Sequence, residues 1–255
     1  MVAAADLQQI DKWVIARANE LAKVCREAYN GYEFHIAYNA INNFCTNDLS
    51  KLYVDITKDR LYTDGKTSAS RRAGQTAMYT VLSALTRLVA PILCFTAEEI
   101  WKAMPHETSD RAESVFLNDM PAYDEALCFS DIAEKWNKLF ELRDDVMKAL
   151  EIARAEKLVG KSLEAKITIY TKNEEVLALL NAFGPELTTV FIVSGVKVEN
   201  TDAPETAYRG EESQLAVLVE PADGCKCDRC WSFSTEGEDD GEGGFICARC
   251  RDILK

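Results

Sequence analysis

The 255-residue sequence lacks any apolar run of the roughly 18 residues that a membrane-spanning helix requires. Its first six residues are rich in alanine but contain no basic stretch followed by an apolar one, so no signal peptide is predicted. We therefore expect a cytoplasmic protein with no membrane partner. The length allows one large domain or two to three small ones.

The sequence is also poor in histidine, the usual general base of hydrolytic and transferase sites. His35 and His106 are the only two, and they lie in unrelated sequence contexts. The run Gly160-Lys161-Ser162 resembles the end of a phosphate-binding loop, but Ala155 occupies the position of the required upstream glycine and no strand precedes it. The sequence therefore predicts no catalytic residue.

An excess of positive charge is missing as well, since the net charge is −13. Net charge governs solubility and steering but does not describe a local surface. Residues 51–90 carry seven lysines and arginines against three aspartates, a local charge of +4 that leaves −17 for the remainder. The uneven distribution keeps a nucleic-acid partner possible.

Cysteine, in contrast, is concentrated near the C-terminus. Two pairs with two residues between their members are separated by 16 residues: Cys227 and Cys230, then Cys247 and Cys250. Two such knuckles bring four thiolates to a tetrahedron, which favours one structural Zn²⁺, because a site with four protein ligands leaves no position for substrate water. Iron in a rubredoxin-like site, redox pairs and plain disulfides are the alternatives. Cys225 is too close to Cys227 to form the same knuckle and is left out of the site.

The remaining cysteines lie singly among apolar residues and are predicted to be buried, reduced thiols. These are Cys25, Cys45, Cys94 and Cys128.

Apolar periodicity predicts a mainly α fold: a helical bundle, followed by a small α+β unit and a four-cysteine zinc ribbon-like module. The predicted domains are residues 1–128, with a loop at 105–128 that wraps the bundle, residues 129–222 with a long helix, and residues 223–255. Local signals predict a left-handed cap at Asn30-Gly31, a capping box that begins a helix at Thr96, and a strand over residues 188–194.

Cations and aromatic rings surround the four cysteines. Arg229 lies within the first pair, Trp231 directly follows it, and Phe233 lies two residues further on. Charge for phosphates and ring faces for unstacked bases are what single-stranded RNA recognition requires. The alternative is that Trp231 and Phe233 only fill the small core of the module.

Several segments together resemble the isoleucyl-tRNA synthetase family. They are Phe34-His35-Ile36-Ala37-Tyr38-Asn39, the run from Asn47-Asp48-Leu49-Ser50 to Arg60-Leu61-Tyr62, Arg71-Arg72-x2-Gln75-Thr76, Ala90-Pro91-Ile92-x3-Thr96-Ala97-Glu98-Glu99-Ile100-Trp101, and residues 151–165. The cysteine-rich tail is similar to the zinc end of the bacterial form. The resemblance extends from about Leu7 to Lys255.

This resemblance implies a C-terminal part of a ligase that binds the anticodon arm of isoleucine tRNA. The HIGH and KMSKS signatures of the family's catalytic domain are absent from this sequence. The resemblance therefore implies that ATP is used only by the catalytic domain, which is the expected protein partner. The chain itself is expected to be a monomer. By similarity, Arg229 and Trp231 contact the anticodon end. The candidates for RNA contact in the bundle are Lys58, Arg60, Tyr62, Arg71 and Arg72.

Two other functions are compatible with a four-cysteine module. Formamidopyrimidine-type DNA glycosylases bind duplex DNA through a related ribbon, although their catalytic Pro-Glu start is replaced here by Met1-Val2-Ala3. A zinc-stabilised protein-interaction module would suit the charge of −13 and the acidic, glycine-rich loop at residues 236–244.

Overall fold

The computed structural model describes residues 1–210, 215–239, 241 and 243–255. Its contacts divide the chain into two compact units, which we call the helical unit (residues 1–57 and 66–134) and the mixed unit (residues 58–65 and 135–255). The three-part division proposed from the sequence stays a prediction. Within the acidic loop at residues 236–244, Asp240 and Glu242 lie outside the described residues.

The helical unit is built around its first helix, whose apolar stripe is buried. Within that stripe Trp13 and Val14 are almost completely excluded from solvent, and amphipathic helices gain most of their stability from burying such a face. The helices are α1 (Gln9–Asn30), α2 (Phe34–Asn43), a π-helical continuation (Phe44–Val54), α3 (Asp55–Thr63), α4 (Ala69–Val89) and α5 (Cys94–Ala103). Helix α3 begins in this unit and passes into the mixed unit at residue 58.

Two helix ends differ from their predicted form. Gly31 is right-handed with φ −84°, and the left-handed residue after α1 is Tyr32 with φ 57°. Helix α5 begins two residues before Thr96, so the predicted capping box is wrong. The Glu98 carboxylate instead accepts hydrogen bonds from the hydroxyl of Ser114 and the backbone amide of Val115, at 3.0 and 3.1 Å.

The predicted loop over residues 105–128 lies against the helices of its unit. It contains two short 3₁₀ turns, at Val115–Leu117 and Glu125–Leu127. The Asn19 side chain on α1 donates to the carbonyl of Asp124 at 2.8 Å and accepts from its amide at 2.9 Å. Arg26 donates to the carbonyl of Met120 at 3.0 Å. Polar side chains of α1 therefore hold this loop.

The mixed unit contains a four-stranded sheet and the longest helix. Its elements are α6 (Ser130–Ala155, of which residues 135–155 belong here), β1 (Ala165–Tyr170), α7 (Glu174–Phe183), α8 (Glu186–Phe191), β2 (Gly195–Glu199), β3 (Tyr208–Arg209) and β4 (Ala216–Pro221). The strand order is β2-β1-β4-β3, with β1 parallel to β2 and antiparallel to β4. Trp136 on α6 packs edge-on against Phe183 on α7, with ring centroids 5.0 Å apart.

The strand predicted over residues 188–194 is wrong, because residues 186–191 form helix α8. The β-branched side chains of residues 188–194 favour a strand locally. However, Leu187, Val190 and Phe191 fall on one face at helical spacing, and all three are buried. Ile192 then ends the helix in the left-handed region, with φ 56°. Burial of this apolar face outweighs the local propensity.

The C-terminal part of the mixed unit is made of very short elements. They are β5 (Cys225–Lys226), β6 (Phe233–Ser234), β7 (Gly237–Asp239), β8 (Phe245–Cys247) and α9 (Ala248–Leu254), with β5 paired to β6 and β7 to β8. The predicted class, mainly helical with a small α+β part and a cysteine module, is confirmed. Within the described ranges, no helix combines the length and apolar character needed to cross a membrane.

Candidate metal centre and nucleic-acid interface

Two hairpins and one short helix position the four cysteines. Cys227 and Cys230 lie in the connection between β5 and β6, where the Trp231 amide donates to the Cys227 carbonyl at 2.8 Å. Cys247 ends β8, and Cys250 lies in the first turn of α9. Gly224, which precedes β5, has φ 87°, and a Cβ there would lie 2.2 Å from the carbonyl oxygen of Ser234. Only glycine fits this close approach.

The four sulfur atoms form a compact, buried group. All lie within 4.8 Å of one another, and those of Cys230 and Cys247 are 3.8 Å apart. A zinc–sulfur distance of about 2.3 Å in a tetrahedron places neighbouring sulfurs about 3.8 Å apart. The donor set and its spacing therefore fit a four-coordinate zinc ion.

The electrostatics of this group also favour a cation. Burial raises the pKa of the Cys227 thiol, but hydrogen bonds from the backbone amides of Cys230, Cys247 and Arg229 outweigh burial and lower the pKa to about 6. Burial raises the pKa of Cys250 to about 12, although Arg229 opposes this rise. Four adjacent buried thiolates repel one another, so all four ionise together only around a positive ion.

Two arginines adjoin the cysteines. Arg229 donates from Nη1 to the Sγ atom of Cys250 at 3.6 Å. Arg249 makes two hydrogen bonds to the carboxylate of Asp59 on α3, within the mixed unit. A zinc ion with four thiolates carries a charge of −2, which nearby guanidinium groups offset. Arg229, predicted as an RNA contact, therefore also supports the candidate metal centre.

The aromatic residues of the module have different environments. Trp231 is 61% exposed and has a left-handed backbone with φ 67°. Phe233 is half-buried, and its amide donates to the hydroxyl of Ser194 at 2.8 Å. Phe245 and Ile246 pack against the four cysteines, a role for which the sequence carries no local signal. Since Trp231 is mostly exposed, core filling does not account for it.

The remaining RNA candidates fall in different units and differ in accessibility. In the mixed unit Lys58 is exposed and Tyr62 is 81% exposed, whereas Arg60 is buried at 7%. In the helical unit Arg72 is exposed and Arg71 is half-buried, both in the first turn of α4, where the Ser68 hydroxyl accepts from the Arg71 amide. The structure thus presents Lys58, Tyr62 and Arg72 to solvent, and it does not present Arg60.

The cysteines outside the cluster meet their prediction only in part. Cys25 is buried, and burial raises the pKa of its thiol to about 11. Cys45 and Cys128 are half-buried. The prediction is wrong for Cys94, which is exposed at the start of α5, where few neighbours cover it. Cys225 is exposed and does not belong to the four-sulfur group.

A protein-family comparison identifies the larger part of the chain. Residues 11–169 match the model of the family described as "Anticodon-binding domain of tRNA ligase". This range covers the described helices of the helical unit after residue 10, together with α6 and all of β1 except Tyr170.

Curated relatives match over almost the whole chain. An isoleucine–tRNA ligase of Desulforamulus reducens is 43% identical over 250 residues, which are 98% of this chain. Isoleucine–tRNA ligases of Syntrophotalea carbinolica and Bacillus mycoides are each 43% identical over 100% of the chain. The match spans 27% of the length of each of these relatives, at their C-terminal end.

Proposed function

The chain belongs to the anticodon-binding domain family of tRNA ligases, and from this premise we propose that it binds the anticodon arm of isoleucine tRNA as part of an isoleucine–tRNA ligase. The observation that carries the proposal is the match of 98–100% of the chain to isoleucine–tRNA ligases at 43% identity. The catalytic domain of the same enzyme is the proposed partner, and it alone uses ATP. The proposed location is the cytoplasm, and the proposed state is a monomer.

The surface chemistry of the mixed unit supports RNA as the ligand. Trp231 and Tyr62 expose aromatic rings, on which unstacked bases can lie. Lys58 adds an exposed cation on the same short segment as Tyr62. Phosphate contacts position an RNA and base contacts discriminate between sequences. We therefore assign positioning to Lys58 and Arg72, and base contact to Trp231 and Tyr62.

A single zinc ion held by Cys227, Cys230, Cys247 and Cys250 is part of the proposal. When bound, the ion supplies folding energy and no reaction chemistry, because four protein ligands close its coordination sphere. Arg229 supports the cluster by donating toward Cys250. Burial of all four thiols argues against readily exchanging redox pairs.

A binding experiment separates this function from its alternatives. The 255-residue chain with confirmed zinc is titrated with isoleucine tRNA, with a tRNA of another amino acid and with a DNA duplex, at several salt concentrations. We expect preference for isoleucine tRNA and an affinity that falls as salt rises, because lysines and arginines displace counterions from phosphates. Preference for the DNA duplex supports the alternative function of a glycosylase-like DNA-binding module. Binding to none of the three nucleic acids supports a protein-interaction module.

A further inference from the structure

Arg249 connects two parts of the mixed unit that are far apart in the sequence. Its Nη1 atom lies 2.5 Å from Oδ2 of Asp59, and its Nη2 atom lies 2.8 Å from Oδ1. The Thr63 hydroxyl donates to the carbonyl of Asp59 at 2.7 Å. Two parallel hydrogen bonds between a guanidinium and a carboxylate fix orientation as well as distance. Helix α3 is thus held to helix α9 at Asp59.

The same arginine adjoins the candidate metal centre. It lies directly before Cys250 in the first turn of α9. With Cys230 and Cys247 it lines a cleft of about 290 Å³. The position of Arg249 therefore depends on how the four sulfur atoms are arranged.

The segment held by Arg249 carries two of the exposed RNA candidates. Lys58 directly precedes Asp59, and Tyr62 follows it by three residues, which is one helical turn. Tyr62 is 81% exposed. Because the segment is helical and short, the direction of Asp59 determines the directions of Lys58 and Tyr62.

We propose that Arg249 is a positioning residue that transmits metal occupancy of the four cysteines to residues 58–65, and so orients Lys58 and Tyr62 for RNA. The first half of this inference is independent of the proposed function, and the second half rests on it. Without the metal, residues 225–255 lose their arrangement and Arg249 no longer fixes Asp59. Arg249 acts through Asp59 and does not contact RNA.

Hydrogen–deuterium exchange of the intact chain tests the first half without RNA. In the zinc-loaded wild type, the amides of residues 58–65 are expected to exchange about tenfold more slowly than in the chelated protein. Arg249→Gln and Asp59→Asn, each with zinc confirmed by elemental analysis, should exchange as the chelated protein does over residues 58–65, while β1 and β4 stay protected. Equal protection of residues 58–65 in all four samples overturns the proposal.

Isoleucine-tRNA binding tests the second half. The direction in which Asp59→Asn changes the affinity for isoleucine tRNA is the decisive result. Removing a carboxylate near an RNA surface without a positioning role reduces repulsion and leaves affinity unchanged or higher. The proposal predicts an affinity lower by about threefold to tenfold for Asp59→Asn and for Arg249→Gln, with the double variant no weaker than either single one, because coupled residues are not additive. Arg249→Lys should restore part of the affinity.

Two variants control for charge and for the location of the change. Asp223→Asn removes another carboxylate of the mixed unit, one that pairs with Lys166, and should leave affinity unchanged. Arg251→Gln removes a cation from the same helix, one that pairs with Glu238, and should leave exchange over residues 58–65 unchanged. Additive losses for the double variant, or higher affinity for Asp59→Asn, overturn the positioning role. Failure of the wild type to bind isoleucine tRNA contradicts the proposed function, while the exchange result still decides the first half.

Discussion

At the scale of single residues, Trp231 combines two features that oppose each other. A bulky side chain with φ near 67° costs backbone strain, on the order of 1–3 kcal/mol, and such strain persists mostly at functional sites. The ring gains little from burial, since it is 61% exposed. Backbone strain alone favours glycine at this position, and the stacking role proposed above for the ring would account for tryptophan there.

This conflict gives a prediction for Trp231→Gly. The variant should retain zinc and melt at the same temperature as the wild type or higher, because glycine adopts positive φ without strain. Its affinity for isoleucine tRNA should fall by roughly 1–3 kcal/mol, the cost of losing one stacking platform. Calorimetry and tRNA titration at low salt measure the two effects. Phe95→Ala, which removes an 85% exposed ring from the helical unit, is the matched control. A less stable variant with unchanged tRNA affinity would identify Trp231 as a structural residue.

At the scale of elements, Glu98 shows how a helix holds a loop. Burial raises the pKa of its carboxyl, but hydrogen bonds from the Val115 amide and the Ser114 hydroxyl outweigh burial and lower it. A carboxyl whose pKa is lower in the folded state stabilises the fold above its unfolded pKa of about 4.3. That contribution is lost as the pH falls through the folded value.

We therefore expect Glu98→Gln to lower the melting temperature at pH 7 and to have progressively less effect as the pH falls from about 4.3 through the lowered pKa of the folded state, because the wild-type carboxyl then becomes protonated as well. Thermal melts between pH 3 and 7 provide the measurement. Glu99→Gln changes the same charge at an exposed neighbouring position and should show no such pH dependence. A difference between wild type and Glu98→Gln that stays constant down to pH 3 would contradict the role of the ionised carboxylate.

A further prediction treats residues 225–255, which contain the four cysteines, as a single element that folds with its metal. Structural zinc supplies on the order of 10 kcal/mol of folding energy in modules of this size. A chelator should therefore unfold residues 225–255, while α1, α4 and α6, which bury their own apolar faces, retain their helical signal. Elemental analysis, circular dichroism and hydrogen exchange follow the metal and the two regions. A metal-free protein with four free thiols and a protected C-terminal segment would rule out the zinc assignment.

At the scale of the whole molecule, sequence reasoning succeeds where the signal is local. The sequence predicts the four-cysteine group because two residues separate the members of each pair, and it predicts the helices because their apolar stripes repeat over several turns. The strand prediction over residues 188–194 is wrong because only tertiary burial of Leu187 and Val190 decides between strand and helix. The Arg249–Asp59 pair has no local signal at all, since 190 positions separate its partners. Burial of Arg60 likewise depends on packing and not on its sequence neighbours.

The sequence motifs that the chain lacks lead to a prediction about catalytic activity. The sequence contains neither signature of the catalytic domain, and the chain spans 27% of the length of its isoleucine–tRNA ligase relatives. We expect no isoleucine-dependent ATP–pyrophosphate exchange and no charging of tRNA by this chain alone. Assays on protein prepared free of host ligase measure both reactions. Exchange above background that follows the purified chain would contradict this expectation.

The discontinuous make-up of the mixed unit has a consequence for the order in which the chain is synthesised. Residues 58–65 leave the ribosome long before residue 249 is synthesised. About 190 further residues are added after Asp59 before its partner Arg249 is present. The helical unit can close around residues 1–57 and 66–134 during that interval, but the mixed unit cannot be completed until the last helix emerges. For the same reason a fragment that begins at Lys135 contains the sheet and all four cysteines but lacks Asp59. Such a fragment would present Arg249 without the carboxylate that it meets in the intact chain.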